Sequence, residues 1–160
     1  MSVGTWAFLR SDYSVSDDGR ALREALRSPS DTPVGATFRR RLLDLEQVFE
    51  EASSPDWDGY GAAPVSRPSF ERAKAFLEAL PVTWPSPEIS ADPDGEITFE
   101  WSRGPHMVFA VSIGSGNLVS YAGLFGQNKT SGMETLVDQL PKVVSHNLAR
   151  LFPRKVQVTS

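Results

Sequence analysis

The chain has 160 residues, no cysteine, 40% hydrophobic and 22% charged residues, and a formal net charge of −4 at pH 7. One domain with a real core fits that length, and the missing cysteines exclude disulfides, thiolate metal sites and cysteine nucleophiles. No apolar run approaches the roughly 20 residues of a membrane helix, Met1–Leu9 lacks the basic-then-apolar order of a secretory signal, and an acidic chain is a poor general coat for nucleic acid. The expectation is a cytoplasmic protein without a membrane partner.

The charge is uneven. Leu42–Glu100 carries 13 acidic and 3 basic residues, whereas residues 1–41 carry 7 basic and 5 acidic, and residues 101–160 carry 6 basic and 2 acidic. Such an acidic middle either marks a partner-facing side or disperses over the folded surface.

In chain order, Thr5–Leu9 reads as a short strand or as an arm anchored by Trp6, Phe8 and Tyr13. Asp17 or Asp18 can cap a short helix to about Arg27, and Ser28–Pro33 is a loop rich in turn formers. Phe38, Leu42, Leu45 and Phe49 then recur at helical spacing, predicting a helix over Thr37–Ala52. Its order of charges, Arg39-Arg40-Arg41 first and Glu46, Glu50 and Glu51 last, opposes the helix dipole. The arginine triplet reads either as a solvated helix start or as a phosphate-contacting cluster.

Residues 53–64 hold Trp57, Asp58 and Tyr60 among glycines that permit positive φ. Two readings stand: an exposed recognition loop, or an aromatic plug that seats the next helix. That helix is capped by Ser66, carries Pro68 in its first turn, buries Phe70, Ala73, Phe76, Leu77 and Leu80, and stops at Pro81.

From Pro87 to Phe125 the alternation changes to period two, bounded by Asp92-Pro93-Asp94-Gly95 and Gly114-Ser115-Gly116-Asn117. This predicts a four-stranded antiparallel meander. Ile97, Phe99 and Trp101 share one face, as do Met107, Phe109, Val111 and Ile113. Gly126–Thr130 reads as a polar loop. Ser131 with Glu134 forms a capping-box pattern for a C-terminal helix, which Pro141 would kink. Lys155–Val158 reads as a frayed end or an edge strand.

Chemical signatures are sparse. Glu96 and Glu100 lie four apart on one strand, about 13 Å by strand rise, wide for a glycosidase pair. His106 and His146 are isolated. Nucleophile-elbow, P-loop and dinucleotide patterns are all missing, so no catalytic residue, cofactor or metal ligand is named.

The run Trp57-Asp58-Gly59-Tyr60-Gly61-Ala62 with Pro64, the helix ending at Leu80-Pro81, Pro87-Glu88-Ile89, Asp94-Gly95-Glu96-Ile97 and Glu100-Trp101 resemble a set of small bacterial proteins. These share a W-D-G-Y-G-A-x-P start and a D-G-x-I/L-x-x-E-W hairpin. The resemblance covers about residues 55–152. It implies no activity, and it implies an association with mobile-element or toxin–antitoxin-type genes.

The sequence thus predicts an α+β protein: a four-stranded meander covered on one face by helices, with an N-terminal helical extension. Residues 1–54 form the extension, 55–152 the core and 153–160 a tail. The expected role is a protein–protein interaction module, an antitoxin, immunity or accessory subunit. Its expected partner is a protein, basic in the acidic-face reading, contacted through Trp57, Asp58, Tyr60, Glu96 and Glu100. The alternatives are nucleic-acid binding through Arg39, Arg40 and Arg41, and a hydrolase built on Glu88, Glu96, Glu100 and His106. The hydrolase requires those four side chains to share a pocket.

Overall fold

Three helices and five strands make up residues 32–154, the part of the chain that this computed structural model describes. They are α1 (Pro33–Ala52), α2 (Arg67–Ala79), β1 (Glu88–Ala91), β2 (Ile97–Ser102), β3 (Met107–Ile113), β4 (Leu118–Phe125), β5 (Asn128–Thr135) and α3 (Lys142–Leu151). The elements expected at Thr5–Leu9, Asp17–Arg27 and Lys155–Val158 lie outside the described residues. The compact unit that holds the sheet begins at Thr37 and includes residues 37–52 of α1.

The sheet is a meander in the order β1-β2-β3-β4-β5, every neighbour antiparallel. The period-two pattern does what it predicts. Ile97, Phe99, Trp101, Phe109, Val111, Ile113 and Val119 fall on one face and are buried there. Apolar residues of α2 (Phe70, Ala73, Phe76, Leu77) and α3 (Val144, Leu148, Leu151) cover them. Phe76 meets Phe99 with ring centroids 4.9 Å apart, and burying each such ring contributes about 2–3 kcal/mol. α1 packs its own stripe beside α2, with Leu45 buried and the Phe49 ring 4.6 Å from that of Phe70.

The sheet has five strands, not four. The expected loop at Gly126–Thr130 and the expected helix start at Ser131 are instead a hairpin and an edge strand. Gly126 takes φ of +65° in a two-residue turn with Gln127, and the ladder then runs without a break from Phe125↔Asn128 to Leu118↔Thr135. Ser131 and Glu134 therefore lie in a strand, where a spacing of three puts them on opposite faces. The helix waits until Pro141, which stands at the N-cap of α3 and kinks nothing. A proline inside the helix would cost about 3 kcal/mol, whereas at the start its missing N–H is no loss. Gly132 leaves room for the Tyr121 side chain to lie across β5: a Cβ there would lie 2.5 Å from the Tyr121 hydroxyl oxygen.

Among the described residues no helix lies over the second face of the sheet. Register places Glu88, Glu100, Ala110, Ala122 and Ser131 in one row across all five strands, and Ser90, Thr98, Ser112, Ser120 and Met133 in the next.

Candidate functional site

The loop between α1 and α2 is closed by its own side chains. Asp58 Oδ1 accepts hydrogen bonds from the N–H groups of Tyr60 (2.8 Å) and Ala62 (3.0 Å). Asp56 Oδ1 accepts from Gly61 N–H at 2.6 Å, and the Asp56 N–H donates to Ala62 O at 2.9 Å. Gly59 and Gly61 supply the left-handed turns this requires, with φ of +77° and +85°. Trp57 packs half-buried against the core, and its indole N–H donates to Ala63 O at 2.9 Å. Tyr60 goes the other way and is 93% exposed. The loop's aromatics are thus divided: Trp57 seats the loop on the core and Tyr60 stands in solvent.

The far end of the loop docks on the β1–β2 turn. Ala63 N–H donates to Pro93 O at 2.8 Å. Gly95, at φ +88°, sits where a Cβ would come within 2.9 Å of Pro64 O, so only glycine allows the contact. The W-D-G-Y-G-A-x-P and D-G-x-I segments, about thirty residues apart in sequence, are therefore two halves of one junction.

Beside that junction lies a hollow of about 500 Å³ whose polar lining includes Ser66, Ser69, Asp94, Glu96 and Asn117. Asp92, Asp94 and Glu96 can each bring one carboxylate oxygen to a common position, all within 4.8 Å of one another. A hard cation takes such oxygen donors, although the turn already employs two of them. Asp92 accepts from the Thr98 hydroxyl at 2.5 Å and Asp94 from the Glu96 N–H at 3.1 Å. Partial burial, with the charges of Asp94 and Asp92 added to it, pushes the Glu96 carboxyl above its ordinary value. Sequence reasoning placed Asp92 and Asp94 in a turn only. The signal was there in three carboxylates at alternate positions of one hairpin.

The other expected site residues are scattered. Glu88 and Glu100 face each other across β1 and β2 and line a hollow of about 280 Å³, separate from the one that Glu96 lines. His106 is exposed in the turn between β2 and β3, at the opposite end of β2 from Glu96. The four residues of the hydrolase alternative are splayed, and the condition set for that reading is not met.

The arginine triplet is also divided. Arg41 is buried, 1% exposed. It donates to the carbonyls of Leu80 (3.4 Å), Pro81 (3.3 Å) and Trp84 (2.6 Å) and to the Ser86 hydroxyl (3.1 Å). Burial pulls its pKa below the ordinary arginine value, and it still carries its charge to the carbonyls at the end of α2. It is spent on the fold and offers nothing to a phosphate, so a triplet acting together is not available. Arg39 and Arg40 are exposed, and Arg40 pairs with Asp44 at 3.6 Å. The signal for Arg41 was its place on the apolar stripe, three after Phe38 and four before Leu45.

These features define an α+β protein with an antiparallel five-stranded sheet and helices packed on one face. No described helix is long and apolar enough to cross a membrane. No family model, no curated protein and no solved structure matches the chain.

Proposed function

We propose that the protein is a non-catalytic binding module that acts through protein–protein contact, with Tyr60 as its anchor. One observation carries this reading: a loop whose backbone is held by Asp56, Asp58 and two left-handed glycines presents a tyrosine that is 93% exposed. A structural plug would bury its aromatic residues, as this loop buries part of Trp57. An aromatic side chain held outward on a pinned backbone loses little conformational entropy on binding, which is why tyrosines of this kind dominate interface energetics. Trp57 and Asp58, expected among the contacts, support the presentation from behind.

A narrower form of the reading is an antitoxin, immunity or accessory subunit in the cytoplasm with a basic partner. It draws on the carboxylates of the β1–β2 hairpin: Glu88, Asp92, Asp94, Glu96 and Glu100 have no ion-pair partner among the described residues. The test is affinity capture by the tagged full-length chain from a bacterial lysate, with quantitative mass spectrometry, wild type beside Tyr60→Ala. The expected result is a stoichiometric partner that Tyr60→Ala loses while its melting temperature stays that of the wild type. Equal capture by both, or no partner at all, would overturn the reading.

A further inference from the structure

We propose that the face of the sheet opposite the helices is a docking surface for an amphipathic helix of the partner protein, small and apolar on its contacting side and lined with Lys or Arg along one flank. The inference rests on the protein-binding reading above and adds to it the place and the chemistry of the second contact.

An antiparallel sheet with one wet face is common, so openness alone says nothing; the residues on the face do. Alanine is depleted in strands because it adds neither packing nor solubility there, yet Ala110 and Ala122 pair with each other at the centre of β3 and β4. Val108 and Leu124 pair beside them on the same face. With Lys129 these four line a shallow hollow of about 360 Å³. Ser112 and Ser120 continue the floor. A floor of short side chains lets a helix backbone approach closely, and packing a helix against a sheet face is how such faces are covered in layered domains.

Charge decides which helix. The row through the two alanines ends on one side in Glu100 and Glu88, directly opposite each other in register. Like charges so placed destabilise a strand pair, and among the described residues neither has a cationic partner. A lysine or arginine on the flank of a helix crossing the alanine row would relieve both. At the other side of the floor stands Lys129, opposite Leu124, which favours an acidic residue on the opposite flank of that helix. The surface is therefore bipolar and orients its occupant.

The test uses a labelled helical peptide with an alanine and leucine face and arginines along one flank, titrated with the full-length protein and followed by fluorescence anisotropy. Saturable binding is expected, and Glu88→Gln with Glu100→Gln should weaken it about tenfold. Glu46→Gln with Glu50→Gln makes the same change of net charge on the exposed side of α1 and should weaken it less than about twofold. Ala122→Trp, at an exposed position, should abolish binding without altering the melting temperature. Equal weakening by the two glutamate pairs, undiminished binding by Ala122→Trp, or no saturable binding by the wild type would overturn the proposal. If the peptide ignores the sheet face while Tyr60→Ala still loses the captured partner, the docking surface fails and the binding-module reading survives.

Discussion

The arginine triplet of α1 and the Trp57–Tyr60 loop look alike in sequence: each is a short cluster of one residue type suited to ligand contact. Folding splits both. Arg41 turns inward onto the carbonyls that end α2, and Arg40 stays in solvent with Asp44. Trp57 turns inward onto the core, and Tyr60 stays outside. In each cluster one member builds the structure and its neighbour is left for something else, so a cluster in sequence is not a cluster in space.

The sharpest way to break that comparison is at Arg41. Arg41→Ala takes the donor from the carbonyls of Leu80 and Trp84, just beyond α2, and should lower stability by about 2–3 kcal/mol in urea unfolding. Arg40→Ala removes one surface ion pair and should cost less than about 0.5 kcal/mol. Equal effects would mean that Arg41 is not the inner member. Trp57→Ala, which removes a half-buried ring and a hydrogen bond, should cost about 2 kcal/mol. Tyr60→Ala should leave stability within about 0.5 kcal/mol of wild type. Asp58→Ala tests the link between the two aromatics: it frees two backbone N–H groups and should cost about 1 kcal/mol while weakening partner capture through a loosened Tyr60.

The smallest expected effect concerns Glu96 at the junction. Its folded carboxyl titrates above its unfolded value, so the folded state holds a proton that the unfolded state has already lost. Stability is thus present at low pH and falls as pH rises from the ordinary carboxylate range through the raised value. Glu96→Gln should melt slightly higher than wild type at neutral pH, and the difference should vanish at about pH 4, near the unfolded glutamate pKa. A variant that melts lower at neutral pH would show that the charge is compensated in the fold.

Much of the architecture was legible. Period-two alternation and Asp-Gly and Gly-Ser-Gly turns located β1 to β4 and their buried face, and Ser66, Pro68 and Pro81 bounded α2. β5 was not legible, for a physical reason. Its residues, Asn128-Lys129-Thr130-Ser131-Gly132-Met133-Glu134-Thr135, are largely polar and mostly exposed, so no hydrophobic pattern marks the strand. It is held by the ladder to β4 rather than by the core, and Ser131 with Glu134 imitates a helix start. Of the site, the sequence marked the loop and the acidic stretch. It did not show which aromatic points outward, or that Glu96 keeps company with Asp92 and Asp94 rather than with Glu100.

Local and periodic features therefore determined the elements, because hydrophobic spacing, capping and glycine-bearing turns act within a few residues. Only the tertiary structure decided which members of each cluster are consumed by the fold. That choice depends on groups far along the chain: Arg41 meets Leu80 to Ser86, and the loop at Ala63 meets the turn at Pro93. A buried backbone carbonyl must find a donor wherever one is within reach, and no spacing in the sequence says which arginine will be there.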